Sequence, residues 1–199
     1  MFRELLRERL ADWVVLTDEQ VAALEAHWTL LERWNRSLNL TTITNPAEAV
    51  ERHYAESLFV GGALDTSPAR IADIGSGPGF PGIPLAILRP DCSVALIESH
   101  QRKAVFLKEA TRALPNVRVL AKRAEEVKES FDWVVSRAVS YEDLAGVASR
   151  LAPRVALLTG SENPPDTLQF SWNPPILLPW GKTRYLRVGR ALVSRETDL

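Results

Sequence analysis

The residues best suited to chemistry in this chain run from Asp73 to Gly82, as Asp73-Ile74-Gly75-Ser76-Gly77-Pro78-Gly79-Phe80-Pro81-Gly82. A short apolar run beginning at Ile71 meets an acid, and Gly75, Gly77, Gly79 and Gly82 follow in quick succession. Glycines this dense let the backbone turn sharply and let a ligand approach where a Cβ would clash. After a buried strand they mark the carboxyl edge of an α/β sheet, where nucleotide-like cofactors bind. Downstream, Glu98 closes the apolar run Ala95-Leu96-Ile97. An acid about 20 residues past such a loop can accept hydrogen bonds from both ribose hydroxyls. A further apolar run, from Phe131, ends in Ser136-Arg137-Ala138.

Two cofactors compete for the loop. Gly77-Pro78-Gly79-Phe80-Pro81-Gly82 formally matches the dinucleotide fingerprint. The wider spacing, Asp73-x-Gly75-x-Gly77-x-Gly79, is the form seen in class I methyltransferases that use S-adenosylmethionine. There the loop wraps the amino-acid end of the cofactor, and an acid entering it suits a positive amino group and sulfonium. Pro78, Pro81 and Pro84 delete backbone N–H groups. A pyrophosphate at a helix N-terminus would need those donors. Glu98 suits either cofactor. Ala121 to Glu125 follow the third strand, where methyltransferases hold adenine. After Arg137 there is no Asp/Asn-Pro-Pro-aromatic segment of the kind used to methylate exocyclic amines. Cys92 lies at the wrong end of a strand to be the nucleophile for carbon-5 pyrimidine methylation.

These residues need a scaffold, and the chain supplies an alternating one. Candidate strands are 70–74, 93–98, 117–121, 132–136 and 154–159, with helices at about 81–88, 101–113 and 141–151. This rhythm predicts a mostly parallel, doubly wound sheet of Rossmann-like class. Residues 65–199 form that core, and 1–64 form an N-terminal helical extension packed on it. In the extension, Leu5, Leu6, Leu10 and Trp13 repeat at helical spacing. Thr17-Asp18-Glu19-Gln20 is a capping box that opens a second helix with the stripe Val21, Leu24, Trp28, Leu31 and Trp34. Asn45-Pro46 starts a third helix, carrying Val50, His53 and Leu58 and ending at Gly61-Gly62. The tail from 160 is rich in Pro and Trp, and 184–194 read as a closing strand.

Bulk properties narrow the class. The 199 residues are 46% hydrophobic and 25% charged, which fits one globular core with appended structure. One cysteine excludes an internal disulfide or a cysteine-cluster zinc site, and no metal is expected. No apolar run reaches the ~18–20 residues of a membrane span. The first residues, with charges mixed among apolar positions, are unlike a signal peptide, so a cytoplasmic setting is expected. A net charge of −1 and a pI of about 6.3 announce no global basic field.

The matching elements taken together resemble one family, the bacterial small-subunit ribosomal RNA guanine-N7 methyltransferases, also called glucose-inhibited division protein B. They are Trp34-Asn35-x-x-x-Asn39-Leu40-Thr41, Arg52-His53-x-x-x-Ser57-Leu58, Asp73 to Pro84, Glu98-Ser99, Lys103-x-x-Phe106-Leu107, Ser136-Arg137-Ala138 and Arg184-Tyr185-Leu186. The resemblance implies a monomeric cytoplasmic enzyme that moves a methyl group from S-adenosylmethionine to guanine N7 in 16S rRNA of the 30S subunit. It implies cofactor contacts from Gly75, Phe80, Ala124, Glu125 and Arg137, with Glu98 on the ribose. Asp73, Gly77, Gly79 and Ser99 complete the candidate cofactor set. Phe80 is expected to shape the methyl-donor pocket. Arg137 is the catalytic candidate, orienting base or cofactor, since N7 needs no general base. One departure stands out: the family often has Leu-Lys-Gly where this chain has Leu158-Thr159-Gly160. Lys182 or Arg184 is expected to substitute for that cation.

Local basic clusters support a nucleic-acid partner. Residues 99–125 hold seven Lys/Arg against two acids, and 182–195 hold five and no acid. Such clusters can neutralise phosphates. The RNA-contact candidates are Arg52, His53, Arg123, Lys182 and Arg184, set against solvated faces or, for His53, helix packing. His27 and His100 read as surface residues. Trp180, between proline and glycine, is a candidate for stacking on a base. Three alternatives stay open at this point: a methyltransferase with another RNA or a small-molecule acceptor, an NAD(P)-linked oxidoreductase, and an RNA-binding module without catalysis.

Overall fold

The computed structural model describes residues 1–65 and 67–192. Among these residues eight strands form one sheet: β1 (Arg70–Ile74), β2 (Ser93–Ile97), β3 (Val117–Leu120), β4 (Trp133–Arg137), β5 (Arg154–Thr159), β6 (Phe170–Trp172), β7 (Ile176–Leu177) and β8 (Tyr185–Ala191). Their order is β3-β2-β1-β4-β5-β8-β6, with β7 also on β8. β1 to β5 run parallel and β8 returns antiparallel to β5. The strand order reverses between β1 and β4, and that switch point is where a doubly wound sheet opens a crevice at its carboxyl edge. The mostly parallel sheet expected from the alternating pattern is borne out.

Helices cover both faces. α1 (Phe2–Leu10), α2 (Asp18–Leu38), α3 (Pro46–Ala49), a π-helical segment (Val50–Ala55), α4 (Glu56–Ala63), α5 (Gly82–Leu88) and α6 (Gln101–Ala110) lie on one side. Their buried residues, among them Leu6, Leu24, Leu31, Tyr54 and Leu58, share one core with Ile71, Leu96 and Val135 of the sheet. α7 (Tyr141–Leu144) and α8 (Ala148–Leu151) cover the other face over Ala72, Ala95, Val134 and Leu157.

The capping box forms as the sequence requires. Gln20 N donates to Thr17 Oγ1 at 3.2 Å and Thr17 N donates to Gln20 Oε1 at 2.9 Å. The same side chain also reaches across to α5, where Gln20 Nε2 donates to the carbonyls of Ile87 and Leu88 and satisfies the open end of that helix. One glutamine thus starts α2 and finishes α5, locking the extension to the helix that follows the glycine loop.

Several boundaries differ from the sequence reading. α1 stops at Leu10, so Trp13 sits in the following turn, half exposed, against Phe59 and Trp180. The third N-terminal helix runs through Gly61-Gly62 to Ala63, with Gly61 packed close to Leu88. The single helix expected over 141–151 is broken into α7 and α8 at Gly146. The Pro/Trp-rich tail contributes β6 and β7, which had no alternating pattern to reveal them. Of the closing strand expected at 184–194, Val193 and Ser194 lie outside the described residues, as does Arg195.

Candidate cofactor and acceptor site

The glycine loop leaves β1 and enters α5, and buried side chains fix it from three directions. Glu98, at the end of β2, is itself buried. Its Oε2 accepts from Gly77 N at 2.9 Å and its Oε1 from His100 N at 2.8 Å. A carboxylate offers about four acceptor sites, so further acceptor capacity remains for ribose hydroxyls. Asp73, at the end of β1, is fully buried, and its Oδ2 accepts from Gly82 N at 3.0 Å, the first N–H of α5. A Cβ at Gly82 would lie 2.6 Å from that oxygen, so only glycine admits the carboxylate there. Asp73 Oδ1 has no partner among the described residues, and burial lifts the carboxyl to about 7. Asp73 therefore positions the loop from beneath. It is not among the residues that line the cleft at the carboxyl edge.

The third hold comes from the extension. His27 Nε2 lies 3.0 Å from the carbonyl of Pro78, and His27 Nδ1 lies 2.9 Å from the Tyr54 hydroxyl. A carbonyl only accepts, so Nε2 carries the proton and Nδ1 accepts from Tyr54. His27 is buried and not at the surface as expected, and desolvation lowers its pKa to about 4. It stays neutral, as this relay requires.

At the carboxyl edge these elements open a cleft of about 190 Å³, lined by Gly75, Ser99, Lys122, Arg123, Ala124, Glu125 and Asp143 over Ile74, Ile97 and Val139. Gly75 has φ +68, and a Cβ there would lie 2.4 Å from Val139 Cγ2. The floor is open because that position is glycine. Of the expected cofactor residues, the structure brings Gly75, Ser99, Ala124 and Glu125 together in this cleft, with Gly77 and Glu98 joined beside it. Gly79 is buried at the turn into α5.

Phe80 is corrected. Its ring is buried, stacked on His53 (centroids 4.5 Å apart, planes 19° apart) and edge-on to Tyr54 and His27. It contacts the guanidinium of Arg137, whose Cζ is 5.1 Å from the ring centroid. Arg137, at the end of β4, also donates from Nη1 to the carbonyl of Arg52 at 2.7 Å. The π-helical turn frees that carbonyl from the regular α ladder. Burial lowers the Arg137 pKa to about 10, which leaves it charged at neutral pH. Phe80 thus reaches the site through the arginine it supports.

A family profile described as GidB, rRNA small subunit methyltransferase G, matches residues 20–154, a stretch that contains every residue lining the cleft. The chain belongs to the GidB family. Ribosomal RNA small subunit methyltransferase G of Xanthomonas campestris pv. campestris (strain B100) is 45% identical over 130 residues, which are 63% of this chain and 59% of that protein. Its namesake in Nitrosococcus oceani is 41% identical over 151 residues, 73% of this chain and 70% of its own length. The chain thus spans about 59% of the length of the first relative it matches. A SAM dependent methyltransferase from Aquifex aeolicus superposes with a TM-score of 0.59 at 13% identity, over 77% of this chain and 97% of that one. Magnesium protoporphyrin IX methyltransferase from Synechocystis PCC 6803, solved with bound SAM, gives 0.58 at 16% identity over 83% and 97%. At these identities the likeness is one of fold, and it is the class I methyltransferase fold expected from the sequence.

In this GidB chain the expected RNA contacts separate into free and committed groups. Arg52, Arg123 and Lys182 are exposed; Arg52 pairs loosely with Glu48 at 3.5 Å, and Arg123 lines the cleft at the carboxyl edge. His53 is buried on Phe80, bonded through Nε2 to Thr41 Oγ1 at 2.8 Å. Burial, then the Arg137 charge, lowers its pKa to about 3, so it offers phosphate neither surface nor charge. It packs the helix, the alternative set against its RNA contact. Arg184 is also corrected as a free RNA contact and as a stand-in for the family lysine. Its Nε and Nη2 engage both carboxylate oxygens of buried Glu56 at 3.2 and 2.9 Å. The cation that reaches Thr159 is Arg187, whose Nε donates to Thr159 Oγ1 at 3.2 Å. Trp180 is half-buried and packs edge-on against Trp13 and Phe59. His100 is exposed as expected and caps α6.

Sequence reasoning missed His27, Tyr54, Glu56, Asp143 and Arg187. His27 had a usable signal: it lies three after Leu24 and four before Leu31, on the buried stripe of α2. Glu56 had none, because its partner lies 128 residues away.

Proposed function

We propose that this chain transfers a methyl group from S-adenosylmethionine to N7 of a guanine in the 16S rRNA of the small ribosomal subunit. The observation that carries the cofactor is the Asp73 carboxylate seated against the first N–H of α5. A dinucleotide would need that helix terminus for its pyrophosphate, and here a buried acid already occupies it. Glu125 and Asp143 in the cleft lining, with Glu98 beside it, offer acids to the positive amino group and sulfonium. Gly75, Ser99, Ala124 and Glu125 would line the cofactor, Gly77 and Glu98 would hold its ribose end, and Asp73 and His27 would keep the loop in shape. S-adenosylmethionine supplies an electrophilic methyl group on its sulfonium.

The acceptor chemistry asks little of the protein beyond placement. Guanine N7 carries an in-plane lone pair and no proton, so no side chain has to remove one. Orientation alone can supply several kcal/mol, up to about 10. Arg137, anchored on the Arg52 carbonyl and the Phe80 ring, is fixed at the end of β4 to hold the base or the cofactor. A donor on N7 would block the reaction, so a productive Arg137 engages O6 or a phosphate. Arg52, Arg123 and Lys182 would carry exposed charge toward the RNA backbone. This reading has the enzyme working as a monomer in the cytoplasm; no helix among the described residues is long and apolar enough to cross a membrane.

Calorimetric titration tests the cofactor: S-adenosylhomocysteine binds and NADH does not. Binding of NADH with failure of S-adenosylhomocysteine overturns it. Tritium transfer from labelled S-adenosylmethionine tests the acceptor, with free 16S rRNA and 30S subunits as substrates. Labelling of a small molecule or of another RNA, with none in 16S rRNA, would replace the acceptor and keep the cofactor.

A further inference from the structure

Arg187 is buried on β8, and neutral groups alone fix its guanidinium. Nε donates to Thr159 Oγ1 at 3.2 Å, Nη2 donates to the Ser161 carbonyl at 3.3 Å, and Cζ lies 5.5 Å from the Tyr185 ring centroid. The half-buried Arg89, Arg154 and Arg184 pair with Asp91, Asp65 and Glu56, while Arg137 is held by a backbone carbonyl. Among the described residues no carboxylate stands within ion-pair distance of Arg187. Buried cations are ordinarily paired, because desolvation is otherwise uncompensated. Among the described residues Nη1 has no hydrogen-bond partner, yet it is not one of the fully buried unsatisfied atoms, so that edge of the fork is not fully enclosed.

Its place in the sheet gives this free edge a meaning. In register, Leu158 of β5 faces Arg137 of β4, and Leu157 faces Arg187 of β8. The two arginines therefore flank the carboxyl end of β5 on its neighbouring strands. They rise from opposite faces: Arg137 lies over Phe80 of the α5 side, and Leu157 belongs to the α7 side. The segment that Arg187 pins, 159–161, continues into Glu162, whose carbonyl accepts from Tyr141 of α7 at 3.2 Å. α7 also carries Asp143, which lines the cofactor cleft. An acceptor held over the end of β5 has Arg137 on one side and Arg187 on the other.

We propose that Arg187 is an RNA-phosphate site: its free fork edge holds a backbone phosphate next to the acceptor guanine. This rests on the RNA methyltransferase reading above. A guanidinium pre-oriented by neutral partners keeps its full charge for a phosphate and matches it with paired N–H donors.

The test is equilibrium binding of 16S rRNA to the intact chain across a salt series, with S-adenosylhomocysteine titration and thermal melting alongside. Arg187→Gln is expected to weaken RNA binding about tenfold near 0.1 M salt and to reduce the slope of log K against log salt by about 0.7–0.9. Cofactor affinity stays as in the wild type. Thr159→Val removes the neutral anchor and keeps the charge, so its salt slope stays at the wild-type value. An unchanged slope in Arg187→Gln, or an equal loss of slope in Thr159→Val, overturns the proposal and makes Arg187 a structural tie. Should Arg187→Gln fail to fold, Arg187→Lys decides: affinity falls with the slope kept, and wild-type affinity overturns the proposal. Methyl transfer to rRNA by the wild type together with an unchanged Arg187→Gln slope removes only this site. A wild type that neither binds nor methylates rRNA removes the RNA reading as well.

Discussion

His27 of α2 donates its Nε2 proton to the carbonyl of Pro78 in the glycine loop, across 51 residues of sequence and 3.0 Å of space. The Tyr54 hydroxyl completes the relay by donating to the other ring nitrogen. The N-terminal helices therefore hold the glycine loop in place. His27→Phe removes a buried donor and leaves both the Pro78 carbonyl and the Tyr54 hydroxyl unpaired. The expected loss is about 1–3 kcal/mol of stability, with weaker S-adenosylhomocysteine binding under conditions where the variant is folded. Denaturant unfolding and calorimetry read the two effects. Wild-type affinity in a folded His27→Phe would separate the relay from the site.

Glu98 joins the loop to the end of β2 and has acceptor capacity to spare. Glu98→Ala deletes the acceptor of Gly77 N and His100 N together with the proposed ribose partner. S-adenosylhomocysteine binding should weaken by about 1–3 kcal/mol. An unchanged dissociation constant would take Glu98 out of the site.

The buried titratable groups give opposite pH trends. His27 and His53 are held at about 4 and about 3, while an unfolded histidine titrates near 6.5. Their share of stability is present above 6.5 and is lost as pH falls through the folded values. Asp73 is lifted from 3.8 to about 7, so its share is full below 3.8 and is lost as pH rises through 7. Denaturant unfolding from pH 4 to 8 should show a shallower acid limb in His27→Gln than in the wild type. The stability of Asp73→Asn relative to wild type should rise between pH 5 and 8. Parallel profiles for all three proteins would contradict these assignments.

Arg184 serves Glu56 before it serves any ligand. Arg184→Ala strands a buried carboxylate and should destabilise by about 3 kcal/mol or more. Adding Glu56→Gln should restore part of that loss, and thermal melts of the single and double variants measure it. A folded Arg184→Ala with wild-type stability and a reduced salt slope for RNA would return Arg184 to the RNA surface.

The glycine loop, Glu98 and the strand rhythm were legible because they rest on local rules: backbone freedom at glycine, a carboxylate at a strand end, and period-two or unbroken apolar runs. What escaped was non-local. Whether Arg184 is free depends on Glu56, and whether His53 is charged depends on the burial it shares with Phe80 and on the Arg137 charge. Spacing along a strand does not report either. Asp73 shows the limit well: its type and position were readable, but its direction, beneath α5, was set by the fit against Gly82.

The most direct measurement is methyl transfer resolved at the nucleoside. The full chain is incubated with isotopically labelled S-adenosylmethionine and 30S subunits, and the 16S rRNA is digested to nucleosides for mass spectrometry. The expected result is label in 7-methylguanosine, reduced in Glu98→Ala and in Arg187→Gln. Label on another guanine atom, on a ribose or on another base would contradict the N7 assignment, and no label in rRNA would contradict the function proposed for this chain.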